Sequence, residues 1–229
     1  MILDKSSVMF LGDSITKGVS FIDGKYRVLE KSFFNILSKT ILSSTENRGR
    51  FGLTSRRFLK DLFKLNGLDA DITFFGIGGN DCNFNWKEIA EHPEQDHFPA
   101  VSKEEYENNL CRIYDNFKES QSKIITLNCP PLHAEKFFSF LGEYFNAENI
   151  MKWLKNISRI YYHHESYNNI FEKVTRSYGI EMIDIRGKFL MDDNLDDLIG
   201  IDGMHPKAAG HELISGSISN FLNENAAIQ

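Results

Sequence analysis

The stretch Val8-Met9-Phe10-Leu11-Gly12-Asp13-Ser14-Ile15 sets four apolar residues in a row, stops at a glycine and then delivers a serine. A run this short and this apolar reads as a strand buried on both faces, ending at Gly12. Ser14 then stands where the next element begins. Its hydroxyl is placed either to face a cleft or to cap a helix.

Comparable runs recur outward from this one. Asp71–Ile77 (DITFFGI), Lys123–Asn128 (KIITLN) and Ile180–Ile185 (IEMIDI) read as strands, and 42–47 as a weaker one. Helical stretches lie between them. Residues 28–39 read as one helix. Thr54 caps a second, over 55–65, with Phe58, Leu59, Leu62, Phe63 and Leu65 on one stripe. Ser102 followed by Glu105 is a capping box that opens a helix to about residue 119. Residues 148–178 are helical with one break, and Pro206 sits in the first turn of a last helix to about residue 222.

Five short strands alternating with helices imply crossover connections and a parallel sheet covered on both faces. No repeat or linker divides the chain, so one domain over 1–229 is expected, with a long connection at about 82–101 as a substrate-site insertion. In open parallel sheets ligands gather beyond the carboxyl ends of the strands.

Composition narrows the class. The 229 residues are 41% apolar and 25% charged, an ordinary globular balance. A net charge of -6 without a Lys/Arg cluster disfavours binding to nucleic acid or an anionic membrane. No apolar run approaches the roughly 20 residues of a membrane helix, and the start MILDKSSVMFLGDS lacks a signal-peptide pattern. Cys82, Cys111 and Cys129 are odd in number and widely spaced, which fits free thiols. These features lead us to expect a cytoplasmic protein with no metal and no cofactor.

Four strand-end loops carry residues suited to chemistry. Gly12-Asp13-Ser14-Ile15 offers a nucleophile or a helix cap. Asn47-Arg48-Gly49-Arg50-Phe51-Gly52 offers a close backbone approach or a plain turn. Gly78-Gly79-Asn80-Asp81 offers an amide donor or an Asn/Asp turn. Asp202-Gly203-Met204-His205-Pro206 offers a histidine oriented by a carboxylate, or a surface loop. Each is ambiguous alone. Together, on one predicted edge, they supply nucleophile, base, orienting acid and oxyanion donors for acyl transfer.

With these four blocks in this order, the sequence resembles the SGNH (GDSL) hydrolases from residue 8 to about 222. The resemblance implies a three-layer α/β/α flavodoxin-like fold with a five-stranded parallel sheet. It implies a serine esterase with Ser14 as nucleophile, His205 as base and Asp202 as orienting acid. The oxyanion would be held by Ser14 and Gly52 backbone N–H groups and the Asn80 amide. The substrate is expected to be a small ester, with acetyl or short acyl groups preferred. An acyltransferase acting on a sugar or alcohol, or a non-catalytic carbohydrate- or nucleotide-binding module, remains open. Oligomeric state is not legible.

Other residues carry weaker expectations. Phe84, Trp86 and Phe98 are candidates for one wall of the substrate pocket or for packing against the protein body, and the cluster Phe137, Phe138, Phe140, Tyr144, Phe145 for a pocket wall or cover, or a dimer contact. His163 and His164 are expected at the surface, His211 in a structural role, and the acidic run 192–197 in a solvated loop. Cys82 reads as a buried thiol.

Overall fold

The computed structural model describes residues 6–40, 44–62 and 68–226. Its elements begin β1 (Val8–Gly12), α1 (Ser14–Lys17), β2 (Val19–Ile22), β3 (Lys25–Val28), α2 (Phe33–Thr40) and β4 (Thr45–Asn47). They continue as α3 (Ser55–Leu62), β5 (Ile72–Gly76), α4 (Trp86–Glu91), α5 (Lys103–Lys118), β6 (Lys123–Leu127) and α6 (Ala134–Gly142). The last are α7 (Ala147–Leu154), α8 (Ser158–Ser177), β7 (Glu181–Ile183), α9 (Ile185–Leu190), α10 (Leu195–Leu198) and α11 (Ala208–Ala226).

β4, β1, β5, β6 and β7 form one parallel sheet in that order. This is the flavodoxin-like arrangement, and the expected three-layer α/β/α architecture with a five-stranded sheet is what the chain adopts. Strand alternation explains the layers. Val8, Phe10 and Phe74 face a core with Phe33, Leu37, Ile214 and Ile218 from α2 and α11. Met9, Leu11 and Phe75 face the other core, with Phe58, Ile113 and Phe171 from α3, α5 and α8. Phe10 and Phe74 are register partners on adjacent strands, and their rings stack at 4.8 Å. Burial of each such side chain stabilises by about 1.5–3 kcal/mol.

A third apolar cluster joins Trp86 and Ile89 of α4 to Phe137 and Leu141 of α6, Ile150 and Leu154 of α7 and Ile160 of α8. The 82–101 connection therefore contains a helix of its own. Asn85 caps it, and the Asn149 amide of α7 donates to the Ala90 carbonyl. Ser102 caps α5 as expected, accepting from the Glu105 N–H. The Glu105 carboxylate does not complete the box; it is held by Arg56.

The structure departs from the sequence reading in several places. The helix expected over 28–39 begins only at Phe33, because an antiparallel hairpin, β2 and β3, precedes it. Its tight turn is Asp23-Gly24, both at positive φ (51° and 73°), the dipeptide such turns favour. β7 stops at Ile183 because Asp184 caps α9, accepting from Gly187 N–H. The acidic run contains the short helix α10. Pro206 lies ahead of α11 and bridges to Ile199, outside the first turn expected for it. The break in the 148–178 helix falls at Lys155, at φ 63°. Phe63 and Leu65 of the expected 55–65 helix, and residues 42 and 43 of the weak strand, lie outside the described residues.

No described helix is long and apolar enough to cross a membrane. His211 of α11 is fully buried against Phe33, with ring centroids 5.9 Å apart. Burial pushes its imidazole down to about 4. The unfolded chain takes up this proton below its ordinary value near 6.5, while the fold refuses it until about 4. Stability from this residue is complete above pH 6.5 and is lost as pH falls, by about 1.4 kcal/mol per pH unit in that window. Urea unfolding of His211→Phe between pH 7 and pH 4.5 should show a shallower loss of stability than the parent; an equal slope would contradict this.

Candidate active site

The turn after β1 is shaped by close packing. A Cβ on Gly12 would meet Thr16 Oγ1 at 2.2 Å and the Gly76 carbonyl oxygen at 2.4 Å, so the backbone there tolerates only glycine. Asp13 caps the short α1 by accepting from the Ile15 N–H at 2.9 Å, and Ser14 is its first residue. The Asn47 amide donates to the Thr16 carbonyl at 2.8 Å, and its oxygen accepts from Gly49 N–H at 2.8 Å. The second sequence block therefore braces the turn that carries Ser14.

The last block is locked in a similar way. Asp202 is fully buried. Its Oδ1 accepts from Met204 and His205 N–H groups, and its Oδ2 lies 2.6 Å from His205 Nδ1. His205 Nε2 lies 2.9 Å from Ser14 Oγ. A carboxylate only accepts, so the carboxylate partner assigns the ring proton to Nδ1 and leaves Nε2 as the acceptor for the serine hydroxyl. Gly203 packs against the start of α6, where its carbonyl accepts from His133 N–H at 2.9 Å. These three blocks thus place Ser14, His205 and Asp202 in one hydrogen-bonded row.

Asn80 stands beside this row and lines the same cavity, and one of its N–H groups donates to the Leu53 carbonyl at 3.2 Å. Gly52 adopts φ 68° next to Phe51, which also lines the cavity. Neighbouring Asp81 turns away and accepts from Ser55 N–H and Oγ. Burial pushes the Asp13 carboxyl up to about 6 and the Asp81 carboxyl up to about 7. Their hydrogen bonds hold the loops after β1 and β5 in shape.

The cavity over Ser14 has a volume of about 270 Å³. Two of its walls were not read as site residues. Tyr26, from the hairpin, meets the His205 ring edge-on at 5.1 Å, and Phe51 lies parallel to it at 6.1 Å. The Asp-Gly hairpin turn was the signal that would have placed Tyr26. Burial raises the Tyr26 phenol to about 12, so it stays protonated.

A second cavity of about 260 Å³ adjoins the first, and Gly79, Asn83, Leu132, His164 and Met204 line both. Phe84 and Trp86 line it, whereas Phe98 is 80% exposed and lines neither cavity. Phe137 lines the second cavity, while Phe140 packs on Phe21 and Tyr144. The expectation of two surface histidines is corrected here. His164 is buried, and His163 is part-buried with Nε2 3.0 Å from the Cys82 carbonyl and its ring against Phe84. Burial lowers His163 to about 4 and His164 to about 3. The hydrophobic face that α8 turns to the sheet draws them in. Cys82 is buried, and burial raises its thiol far above the ordinary range. Among the described residues no group of three or more His, Cys, Asp or Glu is arranged to hold a metal.

The family profile described as GDSL-like Lipase/Acylhydrolase matches residues 10–213. A GDSL esterase/lipase of Arabidopsis thaliana is 23% identical over 226 residues, spanning 96% of this chain and 80% of the relative. Among solved structures, a lipase/acylhydrolase from Enterococcus faecalis superposes with a TM-score of 0.68 at 17% identity, covering 96% of each chain. An acetylxylan esterase, Axe2, from Geobacillus stearothermophilus gives 0.63 at 17% identity, covering 97% of this chain and 96% of its own. The chain belongs to the GDSL-like lipase/acylhydrolase family, and it is a carboxylic ester hydrolase.

Proposed function

We propose that Ser14, His205 and Asp202 form the catalytic triad of a serine esterase, acting through an acyl-enzyme on acetyl or other short acyl esters. The unbroken row from Asp202 Oδ2 through the imidazole to Ser14 Oγ, at 2.6 and 2.9 Å, carries the reading. His205 Nε2 takes the Ser14 proton as Oγ attacks the ester carbonyl carbon. Asp202 holds the ring tautomer and stabilises the imidazolium. The tetrahedral intermediate collapses, its C–O bond to the alcohol breaks, and His205 returns the proton to the leaving alkoxide. Water then attacks the acyl-enzyme by the same route, releasing the acid and restoring Ser14.

The developing oxyanion is assigned to the Ser14 and Gly52 backbone N–H groups and the Asn80 amide. The hydrogen bond from Asn80 to Leu53 supports this, because it fixes the amide beside Ser14 before substrate arrives. The cavity over Ser14 holds about 270 Å³, with Pro131, Tyr26 and Phe51 among its walls, a size that suits a short acyl group. The acetylxylan esterase among the structural neighbours is compatible with the same preference. Phe84 and Trp86 extend the site from the 82–101 segment, which we assign to substrate binding. Three free cysteines, Cys82, Cys111 and Cys129, fit action in a reducing cytoplasm.

Ser14→Ala should lower kcat on para-nitrophenyl acetate by 10⁴-fold or more, on the order seen when a triad member is removed, with an unchanged circular dichroism spectrum. A folded variant that retained most of its turnover would refute Ser14 as nucleophile. Asn80→Ala should lower kcat about 10²–10³-fold with little change in KM. An effect confined to KM would assign Asn80 to ground-state binding instead.

A further inference from the structure

The second cavity is built for more than apolar contact. Phe84, Trp86 and Trp153 meet edge-to-face there, with ring centroids 5.0–6.3 Å apart. Lys103 and Arg159 also line it, and no aspartate or glutamate does. Lys103 is the first residue of α5, a helix of 16 residues, and Arg159 lies in the first turn of α8, a helix of 20 residues. Two cations therefore meet on one aromatic chamber.

Neither cation is spent on a carboxylate among the described residues. Arg159 donates only to the Trp153 and Leu154 carbonyls, from one guanidinium nitrogen. The Lys103 ammonium forms no hydrogen bond or ion pair among the described residues. Glu104 and Glu105 share its turn, but neither lines the cavity, and Glu105 is bound by Arg56. The depressed imidazole of His163 also feels both cations, after the larger effect of burial.

His164 stands at the junction with the catalytic cavity. His164 is only 7% exposed and lines both cavities, yet its Nδ1 has no hydrogen-bond partner among the described residues.

Resting on the esterase reading, we propose that this chamber binds the part of the substrate remote from the scissile carbonyl, and that this part carries an anionic group. The carboxylate or phosphate oxygens meet Arg159 and Lys103 at the rim. The body of the group packs among Phe84, Trp86 and Trp153, and the ester end passes His164 towards the catalytic cavity. An ester with an uncharged remote end forgoes the rim contacts.

The chain holds only two tryptophans, Trp86 and Trp153, and both line this chamber. Intrinsic fluorescence therefore reports on it directly. Phenylacetate and neutral phenylacetamide would be titrated into the parent protein and into Ser14→Ala, which separates binding from chemistry. Phenylacetate should change the fluorescence saturably in both proteins, about tenfold more tightly than phenylacetamide. High salt, Lys103→Gln and Arg159→Gln should each narrow that ratio.

The Lys103 ammonium makes no bond among the described residues, so Lys103→Gln tests the claim even if Arg159→Gln disturbs the turn it braces. Turnover of para-acetoxyphenylacetate against its methyl ester should follow the same order. Equal binding of the two ligands, or an anion preference that survives both substitutions, would overturn the subsite. Anion binding without hydrolysis of any ester would leave the subsite standing and refute the esterase reading.

Discussion

The contact between Ser14 Oγ and His205 Nε2, at 2.9 Å, joins residues 191 positions apart in the chain. Nothing local holds it. It exists because the sheet order reverses beside β1, which brings the loops after β1 and β5 to one crevice, and because the loop ahead of α11 returns to the same edge. Loop closure over that separation is costly, and the two buried cores on either face of the sheet supply the compensation. The geometry of the row is thus a consequence of tertiary packing, and disruption of either core reaches the site through it.

Small residues and buried polar groups then fix the last ångströms. Gly12 lets α1 approach β5, Asn47 pins α1 to the loop after β4, and Gly203 pins the histidine loop to α6. Asp202 spends three of its accepting positions within its own loop and on the imidazole, so its charge is satisfied although it is fully buried. Asp81 is satisfied by Ser55 and Asp13 by its own helix start. The acidic side chains near the nucleophile are therefore tied to structure.

Much of this was legible before any coordinates. Strands such as Val8–Leu11 and Asp71–Ile77 are apolar on both faces, and a parallel sheet demands that pattern. Two of the loop blocks hold Ser14 and the Asp202–His205 pair that reaches it. What escaped was set by contacts that periodicity does not encode. The β2–β3 hairpin is short and its second strand exposed, so it carries no alternation, and only Asp23-Gly24 marks it. Tyr26 was missed with it. His164 looked polar in sequence but falls on the inward stripe of α8. Phe98, an aromatic in a promising segment, points to solvent because that segment folds around α4 and leaves it outside.

The account stands or falls on where the reacting carbonyl would sit. A crystal structure of the protein treated with a fluorophosphonate reads this directly, since the phosphoryl oxygen stands in for the oxyanion. The account predicts phosphorus bonded to Ser14 Oγ, with that oxygen within hydrogen-bond distance of the Ser14 and Gly52 N–H groups and the Asn80 amide. A phosphonate on another residue, or an oxygen turned away from all three donors, would contradict it.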